Sequence, residues 1–164
     1  MSASGVWHFL LWLHYFALEI WTGGIVFISA VMAPVVHRSM ASKAVAGQIV
    51  GHSLKRLNCM EITCCLLLMV TSFSSMRFVQ INSHWIWALI CVLFLMGSLT
   101  SYYAFSLTPR MEALREKVPT LDTLSSGQET RGEFDRLHRL YVRLMSLNLA
   151  LGLAVLYGSV ILLK

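Results

Sequence analysis

Four stretches of about 20 apolar residues constrain this chain more than any other feature in it. A helix needs about 20 such residues to cross a hydrocarbon core about 30 Å thick, and the stretches fall at about 8–36, 57–76, 85–107 and 140–163. With 57% of its 164 residues hydrophobic and only 13% charged, the chain is too apolar for an ordinary soluble domain of its size. It reads as an integral membrane protein. Lipid offers no hydrogen-bond partner to the backbone, so each span must satisfy its own N–H and C=O groups as a helix. The expected fold is therefore all-α, an antiparallel four-helix bundle forming a single transmembrane domain over residues 1–164.

The formal charge of +5 is concentrated in two connections. Arg38, Lys43, Lys55 and Arg56 join the first two spans, and Arg110, Arg115, Lys117, Arg131, Arg136 and Arg139 join the last two. Positive residues collect on the cytoplasmic side of membrane proteins, so both connections are expected there and both termini outside, in a bacterial inner membrane. The connections mix acids with bases and do not form a nucleic-acid footprint. No Lys or Arg precedes the first apolar run, which outlasts a signal-peptide core, so the first helix is expected to be uncleaved.

Between the spans, Ser39–Arg56 places Ala44, Val45, Ile49, Val50 and Leu54 at helical spacing among polar residues, as an extension of the second helix or an interfacial helix would. Gln80–Ser83 makes a short hairpin. In the long third connection, residues of about 118–132, rich in Ser, Thr, Gly and acids, are expected to be mobile. The glycine pair Gly23-Gly24 marks a place in the first helix where a neighbour can approach closely.

Polar groups inside the spans are the candidates for function. Glu19 lies 11 residues past His8, roughly 16 Å along the helix at ~1.5 Å per residue, well inside the apolar layer. An ionisable residue there is a functional candidate by default, and an interhelical contact, with Tyr15 and Thr22 on the same face, is the alternative to proton movement. Glu61 and Arg143 each lie about four residues into their own spans from the basic side, a depth at which they are expected to pair. Asn58 and Asn148 offer further interhelical hydrogen bonds.

The six histidines fall into two tiers, His8, His14 and His84 at one end, and His37, His52 and His138 at the other. His14 with His84, and His52 with His138, are candidate cofactor ligands, because imidazole binds both copper and haem iron. No His–x3–His pair occurs within a helix. The soft side chains Cys59, Met60, Cys64 and Cys65, near Met69, Met76 and Met96, could suit Cu(I), and they are equally ordinary apolar filling. The four cysteines, Cys59, Cys64, Cys65 and Cys91, all lie in predicted spans and are expected to be free thiols. No serine stands in a nucleophile elbow, and no catalytic residue is assigned.

Three stretches together carry a resemblance. LHYFALEIWTGGIVFISAVMAPVVH, with His14, Trp21, Gly23, Gly24, Ala33 and Pro34, is similar to the first helix of a family of small four-helix membrane proteins. LTPRMEALR, with Pro109 and Arg110, resembles that family's exit from helix 3. FDRLHRLYVRLMSLNLALGL, with Phe134, Leu137, His138, Asn148 and Leu149, resembles its fourth helix. The family is catalogued as domain of unknown function 4149 and includes transmembrane protein 205-like proteins. This chain departs from the pattern at Glu19 and Tyr141. More distantly, His14 followed by Trp21 is similar to the first helix of copper-resistance protein D and of membrane protoporphyrinogen oxidases, which implies copper or b-type haem only by analogy.

The expectation is a non-enzymatic structural or accessory membrane protein, a small subunit of a larger respiratory-type assembly, with no cofactor. Its partners would be the lipid bilayer, other membrane subunits or further copies of itself. Haem b or copper binding is the alternative, and proton-coupled transport through Glu19 a third reading.

Overall fold

The structure is a computed structural model and describes residues 3–76, 83–121 and 126–162. All of the regular elements described are helices: α1 (Ala3–Val26), α2 (Ala33–Ser39), α3 (Lys43–Ser75), α4 (Ser83–Tyr102), α5 (Thr108–Leu121) and α6 (Ser126–Leu162). Two π-helical turns, Phe27–Met32 and Tyr103–Leu107, join α1 to α2 and α4 to α5 without a break. Four stretches of helix are long and apolar enough to cross a membrane: Ser4–Ser39, Val45–Ser75, His84–Arg115 and Thr130–Ile161.

The π turns have a common cause in the sequence. A proline lacks the N–H that an α-helix needs and its ring clashes with the carbonyl four residues back. Pro34 and Pro109 each stand two residues beyond a π turn, and the carbonyls they would strike, those of Ala30 and Phe105, lie within it. Widening the turn relieves the clash while the helix continues. The N–H of Ala33 reaches back five residues to the Ile28 carbonyl, and that of Thr108 to the Tyr103 carbonyl.

The spans alternate in direction and each packs on its neighbours in the order α1, α3, α4, α6, with α6 closing back on α1. Since lipid is as apolar as leucine, close packing and interhelical hydrogen bonds hold such a bundle together. Ala17, Leu18, Trp21 and Ile25 of α1 meet Leu57, Cys64 and Leu68 of α3 and Leu93 and Met96 of α4 in one core. Glycines bring the backbones close: a Cβ at Gly24 would lie 2.6 Å from Leu57, one at Gly97 2.6 Å from Cys65, and one at Gly152 2.8 Å from Thr22.

Towards the basic side the helices extend past the predicted spans. Ser42 accepts from the Val45 N–H and starts α3, so residues 43–56 continue the second span as one helix. Ala46, Val50 and Leu54 of this extension are buried, as is Met111 of α5. Lys55 pairs with Glu112 at 3.3 Å, and the Arg115 guanidinium lies against bare Gly47 and Gly51 and over the ring of Phe134. Helix takes up most of 118–132: α5 runs to Leu121 and α6 starts at Ser126. Residues 122–125, and most of the predicted hairpin at 80–83, lie outside the described residues.

Candidate functional site

The interior of the bundle holds two polar clusters at different depths. The deeper one is centred on Glu61 of α3, which is 1% exposed. The Tyr103 hydroxyl, on the second π turn, donates to Glu61 Oε2 at 2.5 Å. With its proton committed there, the Tyr103 oxygen accepts from Asn148 Nδ2 of α6 at 3.0 Å and from the Thr100 hydroxyl of α4 at 3.0 Å. Asn148 Nδ2 also donates to Thr100 at 2.8 Å. Every proton in this branch thus points toward the carboxyl group.

A second branch joins the first through the same tyrosine. The Tyr141 hydroxyl of α6 donates to Asn58 Oδ1 at 2.9 Å, Asn58 Nδ2 donates to Thr108 at 3.3 Å, and Thr108 donates to the Tyr103 carbonyl at 2.9 Å. That carbonyl belongs to the π turn that Pro109 enforces, and Thr108 satisfies it a second time. The rings of Tyr103 and Tyr141 meet edge to face at 5.1 Å. Side chains from α3, α4, α5 and α6 are therefore tied in one network. Glu61 Oε1 and Asn148 Oδ1 are buried beside it without a hydrogen-bond partner.

The second cluster lies near the end of the bundle away from the basic connections. His14, 2% exposed, bonds through Nδ1 to Thr71 at 2.9 Å and through Nε2 to Ser159 at 3.1 Å. Thr71 gives its own proton to the carbonyls of Leu67 and Leu68, so Nδ1–H donates to Thr71 and Nε2 accepts from Ser159. Helices α1, α3 and α6 are pinned together at this level.

Several sequence expectations are corrected. Glu61 does not pair with Arg143: Glu61 is bonded to Tyr103, and Arg143 is exposed on the outside of α6. The reason is helical phase. Tyr141, Met145 and Asn148 face the interior, and a residue two beyond Tyr141 is turned by about 200° at 3.6 residues per turn. Glu19 is not inside the bundle either. It is exposed on the outer face of α1, away from Thr22, whose hydroxyl bonds the Leu18 carbonyl on the buried side. The glycine pair is divided: Gly24 meets Leu57, whereas open space lies beyond Gly23.

The candidate cofactor ligands do not converge. Both ring nitrogens of His14 are engaged by hydroxyls, His84 and His52 are exposed, and the exposed His138 stacks on Phe134 at 6.1 Å. Among the described residues, no group of three His, Cys, Asp or Glu is placed to hold a metal ion. Cys59 and Cys91 are exposed, Cys64 is buried and Cys65 half-buried, all as free thiols. These residues as arranged do not fit a haem iron or a copper ion. Cys65 and Met69 instead line a cleft of about 310 Å³ between α3 and α4, with Phe94 and Gly97.

Tyr103, Thr100, Thr108, Thr71 and Ser159 are the members that sequence reading did not single out. Hydroxyl residues are common in membrane helices, and only the prolines hinted that the turn before Pro109 would be special.

With this geometry in hand, comparison with known families adds one finding. The pattern of a domain of unknown function (DUF4149) matches residues 16–119, more than half of the chain. The chain belongs to this family. The match covers most of the first membrane-crossing helix, the second and third and both π turns, and so includes Glu19, Glu61 and Tyr103, whereas His14 lies just before it. No curated protein and no solved structure matches the chain.

Proposed function

We propose that this protein is a non-enzymatic structural component of a membrane, an accessory subunit that works assembled with other transmembrane chains. One observation supports the reading, the division of its polar groups. Inside the bundle they are bonded largely to one another across helices, which fixes the order and register of the spans. On the outside, at mid-depth, Glu19 has no hydrogen-bond or ion-pair partner among the described residues. Ionisable groups within the apolar layer face a protein interior, pair, or line water, so an acid turned outward there argues for a neighbouring chain.

On this reading the basic connections lie on the cytoplasmic side of a bacterial inner membrane and both termini outside, as the distribution of Lys and Arg argues. A cysteine placed at exposed Gly132 should then react with an impermeant thiol reagent only when the cytoplasmic face is open to it. Extraction of the full chain from its own membrane in polymer-bounded lipid discs tests the assembly. A second kind of transmembrane chain, recovered in fixed ratio, is the expected result. Discs holding only this chain and lipid would overturn the accessory role.

A further inference from the structure

We propose that the outer face of α1 is a two-fold symmetric interface with a second copy of this chain, Glu19 meeting Glu19 and Gly23 marking the crossing point. The inference rests on the reading above, that the protein works assembled in the membrane, and names what covers Glu19.

Trp12, Phe16, Glu19, Gly23, Val26 and Ala30 are all exposed and recur at alternating steps of three and four residues, the spacing of a seam between two nearly parallel helices. The residues that bury α1 in its own bundle, among them His14, Leu18, Trp21 and Ile25, lie on the other side. Span 1 thus has two faces, and the outer one is lined end to end.

Depth and chemistry choose the occupant. His14 is level with Thr71, four residues before the end of α3, and Glu19 lies five residues deeper. That places Glu19 about 13 Å below the end of α3 at ~1.5 Å per residue, near the middle of a layer about 30 Å thick. Two copies inserted in one orientation hold the same residue at the same depth, and a two-fold axis along the membrane normal sets like against like. A carboxyl group is suited to this. In its neutral form it has an O–H donor and a C=O acceptor, so two of them facing one another complete both. Arg143 of another copy cannot serve. Gly152 of α6 is level with Thr22, and Arg143 lies nine residues further toward the basic side, about 18 Å from the level of Glu19.

Shape agrees with chemistry. A Cβ at Gly23 would meet nothing within 4 Å among the described residues, so one turn from Glu19 the backbone is bare and a second helix can come close. Toward the end of the bundle away from the basic connections, Trp12 and Phe16 stack at 5.1 Å. Helices that cross at Gly23 diverge in that direction and leave room for the large rings.

The test uses the full chain in lipid bilayers with Cys59 and Cys91 replaced by serine. Gly23→Cys and Val26→Cys should cross-link into dimers with a short bismaleimide, whereas Leu66→Cys on α3 and Leu153→Cys on α6 should give no more than the parent chain. Energy transfer between labelled copies should show Glu19→Gln retaining the dimer, because an amide also donates and accepts. Glu19→Leu should weaken it about tenfold, and Gly23→Leu should abolish it while unfolding of the bundle is unchanged. Cross-linking at 23 and 26 no greater than background, or Glu19→Leu associating like the native chain, would overturn the second copy. If the lipid discs then contain a different transmembrane chain, the accessory role stands and that chain covers Glu19. If they contain one copy and lipid alone, both readings fall.

Discussion

Replacing Tyr103 by phenylalanine tests the inner network. The substitution removes one oxygen and leaves the ring packed against Tyr141. Three contacts go with it, to Glu61, Thr100 and Asn148. Asn148 and Thr100 still bond one another at 2.8 Å, so the group left stranded is the Glu61 carboxyl, whose Oε1 has no partner to begin with. An interhelical hydrogen bond in a membrane protein is worth about 0.6–2 kcal/mol, and stranding a buried acceptor costs about 1–3 kcal/mol. The expected loss is about 2 kcal/mol, close to 30-fold in the unfolding constant. Glu61→Leu should cost less, since the tyrosine hydroxyl keeps its bonds to Thr100 and Asn148. The double variant should be far milder than the sum, because removing both partners leaves neither of the two groups stranded. The assay is SDS-driven unfolding in mixed micelles, followed by the fluorescence of the five tryptophans, of which Trp21 is fully buried. If the double variant loses the sum of the single losses to within about 0.5 kcal/mol, Tyr103 and Glu61 are not coupled and the network as described is wrong.

The same unfolding assay checks three further expectations. Gly152→Ala should destabilise by about 1–3 kcal/mol, because its Cβ would come within 2.8 Å of Thr22, a stiff side chain held by its bond to the Leu18 carbonyl. Gly158→Ala on the same helix, with nothing within 4 Å, should be neutral or slightly stabilising. Thr71→Val and Ser159→Ala should each cost about 1 kcal/mol in native His14 and markedly less in a His14→Leu background, as members of one cluster do. Lys55→Ala should change stability by less than about 1 kcal/mol, since the Lys55 side chain is 61% exposed beside Glu112, and high salt should erase even that difference.

The four spans, their alternation and the helical character of the segment before the second span were legible because each depends on composition and periodicity alone, whereas its continuity with that span, left open against a separate interfacial helix, was not. The positions of Glu61 and Glu19 within their helices were equally legible. Their partners were not. Arg143 had the depth to reach Glu61 but not the phase, and one residue of phase turns a helical side chain by about 100°. Tyr103 had no outstanding signal of its own. It reaches Glu61 from a π turn that Pro109 imposes downstream, and the effect of a proline on the phase of the turn before it is not visible in a count of apolar residues. The histidines misled in the opposite sense. Their grouping by depth suggested shared ligands, whereas in the bundle His14 spends both nitrogens on hydroxyls and His52, His84 and His138 are exposed.

The sequence by itself determined that this chain crosses a membrane four times as helices, because a long apolar run in lipid has no other way to satisfy its backbone. Only the tertiary structure decided which polar groups meet, since that depends on rotation of each helix about its axis, and rotation is set by packing. So Glu61 finds a tyrosine and not an arginine, and Glu19, with the same chemistry and a similar apolar setting, is turned outward.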